Sequence, residues 1–170
     1  MNQFPELNLP AIKAKIQSLD TGLQIFDEHR KKYVILTPEE WVRQHILSFL
    51  VYHLGYPKSL IQVESGIKYN QLRKRPDIVA LDRKGEPLMI VECKAAKVNI
   101  NQSTFEQVAV YNKVIGARYL VVTNGMRHFC CEQNSKTGTS RFLKEIPVFN
   151  DEMYFSIGVN SNPKASETPL

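Results

Sequence analysis

Residues 73–97 read RKRPDIVALDRKGEPLMIVECKAAK, and this stretch restricts the fold more than any other. Its two apolar runs, IVAL and PLMIVEC, are separated by the polar loop RKGE, the pattern of two strands joined by a turn. Both are apolar almost throughout rather than alternating, so both faces need cover, which suits a central strand pair with helices on either side. Charges are unwelcome in such a place. Yet Asp77, Glu92 and Lys94 lie within or beside these runs.

Strand geometry offers a reason. With RKGE as a four-residue loop, the register sets Asp77 directly opposite Glu92, and directly opposed residues share a face. Lys94 follows two residues later on the same face, roughly 7 Å further along. Opposed carboxylates repel, and a divalent cation between them removes that cost. Oxygen ligands so placed suit Mg²⁺ (or Mn²⁺), with water and phosphate completing the shell. A lysine alongside can position or deprotonate an attacking water and neutralise charge at phosphorus. The residues therefore point to metal-assisted phosphodiester hydrolysis. Spacing alone also fits a strand-start aspartate and an exposed Glu–Lys pair. The apolar flanks weigh against that, because charges on twice-covered strands usually have a functional reason.

Around this pair the chain reads as one α/β domain over residues 21–157, with an N-terminal arm or short helix over 1–20 and a polar, loose tail over 158–170. Ile12, Ile16 and Leu19 stand at helical spacing. LQIFDEHRKKYVIL reads as two short strands around a polar turn. TPEEWVRQHILSFLVYHLGYP is a marked helix, with Thr37 as N-cap, Pro38 at the first position, and Gly55 and Pro57 at its end. SLIQVESGIKY is a strand. Residues 103–115 form a second helix, with Ser103 and Glu106 in capping-box positions and Gly116 past its end. RYLVVTN, HFCCEQ and RFLKEI are strands.

Composition excludes several classes. With 43% hydrophobic and 23% charged residues the chain is that of an ordinary globular protein, and no apolar run approaches the roughly 18 residues of a membrane span. The start, MNQFPELNLPAIKAKIQ, lacks the order of a signal peptide, so the expected location is the cytoplasm. The net charge of +5 and pI near 9.1 favour an acidic partner such as nucleic acid. Cys130 and Cys131 are adjacent, so on a strand they point to opposite faces. With Cys93 and His128 they lack zinc-site spacing and read as small buried residues. His29, His45, His53 and His128 share no spacing and read as structural or surface residues.

Pro76-Asp77, fourteen residues, then Glu92-Cys93-Lys94 resembles the PD-(D/E)xK nuclease motif. Gln107 and Tyr111, spaced i, i+4 on the second helix with Val110 and Val114 on their face, resemble the Gln-xxx-Tyr signature of one branch, where the pair helps position nucleic acid. Read without that likeness, they fit an amphipathic helix on which Tyr111 packs. The resemblance implies a further acidic residue from the helix before the core strands. Glu40, three residues after Thr37, is explained by a capping box. Glu39 falls in the stripe of Val42, Ile46, Phe49 and Leu50, where a carboxylate needs a reason, so Glu39 is preferred and Glu40 is the fallback.

The order of elements, with IFDEHRKKYV, TPEEWVRQH and VECKA, is similar to the N-terminal nuclease domain of type I restriction enzyme R subunits over roughly residues 20–150. That resemblance implies a restriction-endonuclease-like mixed sheet flanked by helices, Mg²⁺ held by Asp77, Glu92 and the Cys93 backbone carbonyl, and cleavage of DNA. No GxxxxGK[ST] segment occurs, so ATP-driven translocation does not carry over, and a separate motor or specificity protein is an expected partner. KYNQLRKRP supplies Lys68, Arg73, Lys74 and Arg75, with Lys58 nearby. This run fits either a clamp on the phosphate backbone or a solvated basic loop. The rival reading is a non-catalytic module that binds nucleic acid or a partner.

Overall fold

The computed structural model describes residues 4–63, 75–134 and 136–150, apart from the Tyr111 side chain. Strands β1 (Ile16–Leu19), β2 (Gly22–Asp27) and β3 (Lys32–Ile35) form a three-stranded antiparallel meander. Helix α1 (Pro38–Tyr52) follows, then β4 (Ile61–Val63), β5 (Ile78–Leu81) and β6 (Pro87–Cys93). Helix α2 (Gln102–Ile115), β7 (Tyr119–Thr123), β8 (His128–Asn134) and β9 (Thr139–Leu143) complete the order. The second sheet runs β4-β5-β6-β7-β8-β9. Its pairs are antiparallel except β6 with β7, the two strands that α2 connects. A parallel pair needs such a crossover.

Strand alternation divides the core. Ile78, Ala80, Met89, Val91, Val121 and Cys130 face one layer with Val42, Ile46, Leu47 and Leu50 of α1. Val79, Ile90, Leu120, Val122 and Cys131 face the other with Val108 and Ile115 of α2. Strands β5 and β6 are thus covered on both sides, which is why they read as continuous apolar runs. Cys130 and Cys131 fall on opposite faces, and all three cysteines are free and buried.

Helix α1 begins as the sequence indicates: the Thr37 hydroxyl accepts the Glu40 N–H at 3.0 Å, with Pro38 in the first turn. The start of α2 differs. Asn101, not Ser103, is its cap, accepting from the Thr104 N–H, while Gly116 ends the helix at φ +74°. A side-chain amide oxygen one residue before the helix does the same work as the expected hydroxyl.

The arm departs from expectation as well. The helical spacing of Ile16 and Leu19 yields a strand, because β2 offers a partner from Leu19↔Gly22 to Ile16↔Ile25. A boundary at residue 20 therefore cuts through a sheet. Upstream, Leu7 and Leu9 pack on the core. Asn8 donates its N–H to Gly125 O at 2.8 Å, and the Trp41 indole N–H donates to Pro5 O at 3.1 Å. The segment 158–170 lies outside the described residues.

Candidate active site

Asp77 sits at the bend before β5, and its register partner across the ladder is Glu92, since the pairing runs Ala80↔Met89, Val79↔Ile90, Ile78↔Val91. The expected register is met, although the turn end carries a bulge at Ala80/Leu81 that pairs Leu81 with Pro87. Asp77 is buried, at 8% exposure. Its Oδ2 accepts the Cys93 N–H at 2.6 Å, and its Oδ1 accepts from Arg43 Nη2 at 2.6 Å. The aspartate thereby ties the end of β6 to α1.

Glu92 is the penultimate residue of β6, and its Oε1 accepts from Lys94 Nζ at 2.7 Å. Lys94 itself is fixed by its N–H, which donates to Thr123 O at 2.8 Å. Burial raises the Glu92 carboxyl above its ordinary value, the charge of Asp77 pushes the same way, and Lys94 opposes both. For Lys94, burial acts downward, but the hydrogen bond and charge of Glu92, then Glu39 and Asp77, outweigh it and hold the ammonium form.

Behind the pair runs a buried ion chain. Arg43 Nη1 donates to Glu40 Oε2 at 2.6 Å, and Arg43 Nη2 is 3.5 Å from Glu39 Oε1. Arg30 pairs with both Glu40 and Asp27, and the Gln44 amide bridges Asp27 and Glu40. Asp27 is fully buried, and its Oδ1 also accepts the N–H groups of His29 and Arg30. Burial acts to raise Asp27, but the hydrogen bonds and charge of Arg30, with the His29 N–H, prevail and hold it below its ordinary value.

The helix carboxylates part company here. Glu40 is buried at 5%, and its carboxylate is spent on Arg30, Arg43 and Gln44. The capping box therefore holds only in its Thr37 half. Glu39 has a 43% exposed side chain, and its charge reaches both Glu92 and Lys94. Arg43, Arg30, Asp27 and Gln44 are the residues that sequence reasoning passed over. The i, i+3 and i, i+4 spacing of Arg43 from Glu40 and Glu39 was the available signal; nothing local connects Arg30 to Glu40.

Two side-chain carboxylates and a backbone carbonyl fit Mg²⁺, which retains waters and takes substrate phosphate, better than a metal needing a closed cage. Among the described residues no group of three or more His, Cys, Asp and Glu side chains could hold a metal. Among the described residues, the carboxylates of Asp27, Glu39, Glu40, Asp77 and Glu92 pair with Arg30, Arg43 and Lys94. Each Asp77 oxygen accepts one of the hydrogen bonds described above, and a carboxylate oxygen has room for a second partner.

A family model described as type I restriction enzyme R protein N terminus (HSDR_N) matches residues 38–147. The chain belongs to this family. The match takes in α1, β5, β6 and α2 of this R-protein N terminus, and so Asp77, Glu92 and Lys94. Among solved structures, the chain is similar to a fragment of a putative HsdR subunit of a type I restriction enzyme from Vibrio vulnificus YJ016. Identity is 20%, the TM-score is 0.45, and the match covers 66% of this chain and 24% of that one. The chain thus spans about a quarter of that fragment. No curated protein matches it.

In this family member Gln107 is exposed on α2, with Val110 at 59% and Val114 at 49% exposure on the same side, turned away from the buried Val108 and Ile115. No hydrogen bond joins Gln107 to Asp77, Glu92 or Lys94 among the described residues. The Tyr111 ring, Lys68, Arg73 and Lys74 lie outside the described residues. Arg75 is exposed immediately before Pro76. His45 bonds Trp41 O, His53 caps α1, and His128 lies between Thr123 Oγ1 and Asn8 O, as structural histidines do. No described helix is long and apolar enough to cross a membrane.

Proposed function

We propose that this chain hydrolyses phosphodiester bonds of DNA with Mg²⁺ (or Mn²⁺) as cofactor. The supporting observation is the facing pair Asp77 and Glu92 at the ends of two central strands, with the Lys94 ammonium 2.7 Å from Glu92. Asp77, Glu92 and the Cys93 carbonyl would hold the cation, which when bound supplies Lewis-acid polarisation of the phosphate and an activated water.

The chain's own groups account for the rest. Arg43 and the Cys93 N–H hold the Asp77 carboxylate at the end of β6. Lys94, kept as an ammonium, orients the water and offsets charge growing on the phosphate; its raised pKa argues against a role as base. Glu39 orders the shell through Arg43. Gln107 and Tyr111 guide the strand, and Lys68, Arg73, Lys74 and Arg75 contact its backbone. The setting is the cytoplasm, with a separate motor or specificity protein as partner.

Nicking of supercoiled plasmid tests this. Metal-dependent cleavage by the wild type, abolished by EDTA and absent from Lys94→Ala, is the expected result. A second reading rests on Arg43, which already brings positive charge to Asp77 at 2.6 Å: the domain binds DNA without cutting it. Salt-sensitive DNA binding with neither cleavage nor metal affinity would establish that reading instead.

A further inference from the structure

The turn between β2 and β3 carries a cluster that the hydrolytic site does not use. Lys15, Lys31 and Lys58 all approach the single carboxylate of Glu28, at 3.8, 3.3 and 3.6 Å. Among the described residues, one acid shared by three lysines leaves an excess of two positive charges on this exposed turn. Beside it opens a cavity of about 270 Å³, lined by Glu28, His29, Arg30, Lys31 and Lys58 against β4. His29 is among the lining residues, and its Nε2 is buried with no hydrogen-bond partner. A buried, unpaired ring nitrogen needs an explanation, and a ligand is one of the few available. Burial and the charge of Lys58 hold this imidazole below its ordinary pKa, so it enters as a neutral ring with one N–H to give.

We infer that this cavity is a phosphate subsite for the nucleic-acid backbone, with Lys31 and Lys58 supplying charge and His29 Nε2 a directed hydrogen bond. The inference rests on the reading of DNA as substrate and adds a contact to it. Three features converge. The charge excess attracts a polyanion at range. The cavity is large enough to admit a phosphate group. The unpartnered nitrogen would turn attraction into position, as phosphate contacts do when they set register. The subsite is also joined to the hydrolytic centre: Arg30 lines the cavity and begins the ion chain through Glu40 and Arg43 to Asp77. A backbone phosphate held there would rest on the same rigid frame as the carboxylates.

Fluorescence anisotropy of a labelled DNA duplex in EDTA separates binding from cleavage. Wild type is compared with His29→Leu, with Lys31→Glu/Lys58→Glu, and with Lys84→Glu/Lys113→Glu as control. The control makes the same charge change around a cavity at the opposite, Pro87 end of β6. Thermal melts establish that each variant is folded. The subsite predicts a loss of about tenfold or more for the first pair, with a salt slope shallower by roughly 2. The control pair should lose less than about threefold. His29→Leu should weaken binding several-fold although it changes no charge at neutral pH. In wild-type protein the His29 Nε2 resonance should shift on DNA saturation, which serves as readout should a variant fail to fold. Equal losses in the two double variants, an unaffected His29→Leu, or an unmoved resonance would overturn the subsite while leaving the hydrolytic reading intact. Wild type that binds no DNA in EDTA overturns the subsite, while the hydrolytic reading is decided separately by the plasmid-nicking assay with Mg²⁺.

Discussion

Arg43 Nη2 lies 2.6 Å from Asp77 Oδ1, joining the first turns of α1 to the entry of β5 across 34 residues of sequence. Both side chains are nearly buried, at 6% and 11% exposure, and the same guanidinium holds Glu40 at 2.6 Å. Breaking a buried pair by removing one partner leaves the other charge uncompensated, which costs about 3–5 kcal/mol. Arg43→Gln should lower the urea midpoint accordingly. Arg43→Lys should recover only part of that, because an ammonium cannot reproduce the fork that spans Glu40 and Asp77.

Glu92 yields a pH prediction. Its folded carboxyl is raised first by burial and then by Asp77, so its protonated form is favoured by folding. That contribution is complete below the unfolded value and is lost as pH rises through the folded one. In EDTA, Glu92→Gln should therefore melt higher than wild type at neutral pH. Mg²⁺ should raise the melting temperature of wild type and leave Glu92→Gln unmoved. A variant that melts lower in EDTA would mean that the Lys94 pair outweighs burial.

Asp27 carries the opposite sign. Despite burial, the hydrogen bonds and charge of Arg30 and the His29 N–H hold it below its ordinary 3.8. Its stabilisation is present above the unfolded value and disappears as pH falls through the folded one. Asp27→Asn should lower stability at pH 7 and flatten the loss of stability on acidification, read from urea midpoints across that range.

Gly125 adopts φ +79°, and a Cβ there would stand 2.8 Å from Leu7 Cδ2. Gly125→Ala should cost about 1–3 kcal/mol from the backbone alone. The rest of the penalty should shrink when combined with Leu7→Ala, so the double-mutant cycle should show coupling of about 0.5 kcal/mol or more. Additive effects would mean that the arm does not press on the turn.

Much of the architecture could be read from local pattern. The unbroken apolar runs of β5 and β6 demand cover on both faces, and the Thr37-Pro38 start and Gly116 stop announce the helices because capping is a matter of a few neighbouring residues. The same locality explains the errors. Ile16 and Leu19 have helical spacing but pair with β2, because a strand partner overrides a weak periodic signal. Ser103 and Asn101 are both competent caps, and which one serves depends on where the chain leaves β6.

The sequence by itself indicated the facing of Asp77 and Glu92 through the two-residue strand period, and the bulge at Ala80/Leu81 offsets a turn that differs from the expected loop so that the facing is kept. Only the tertiary structure decided what surrounds them. The partners of Glu40 come from β2–β3 and from its own helix, and those of Asp77 from α1 and the end of β6. Ion pairing depends on distance in space, and no spacing along the chain encodes that Arg30, Arg43 and Asp77 meet in one buried line.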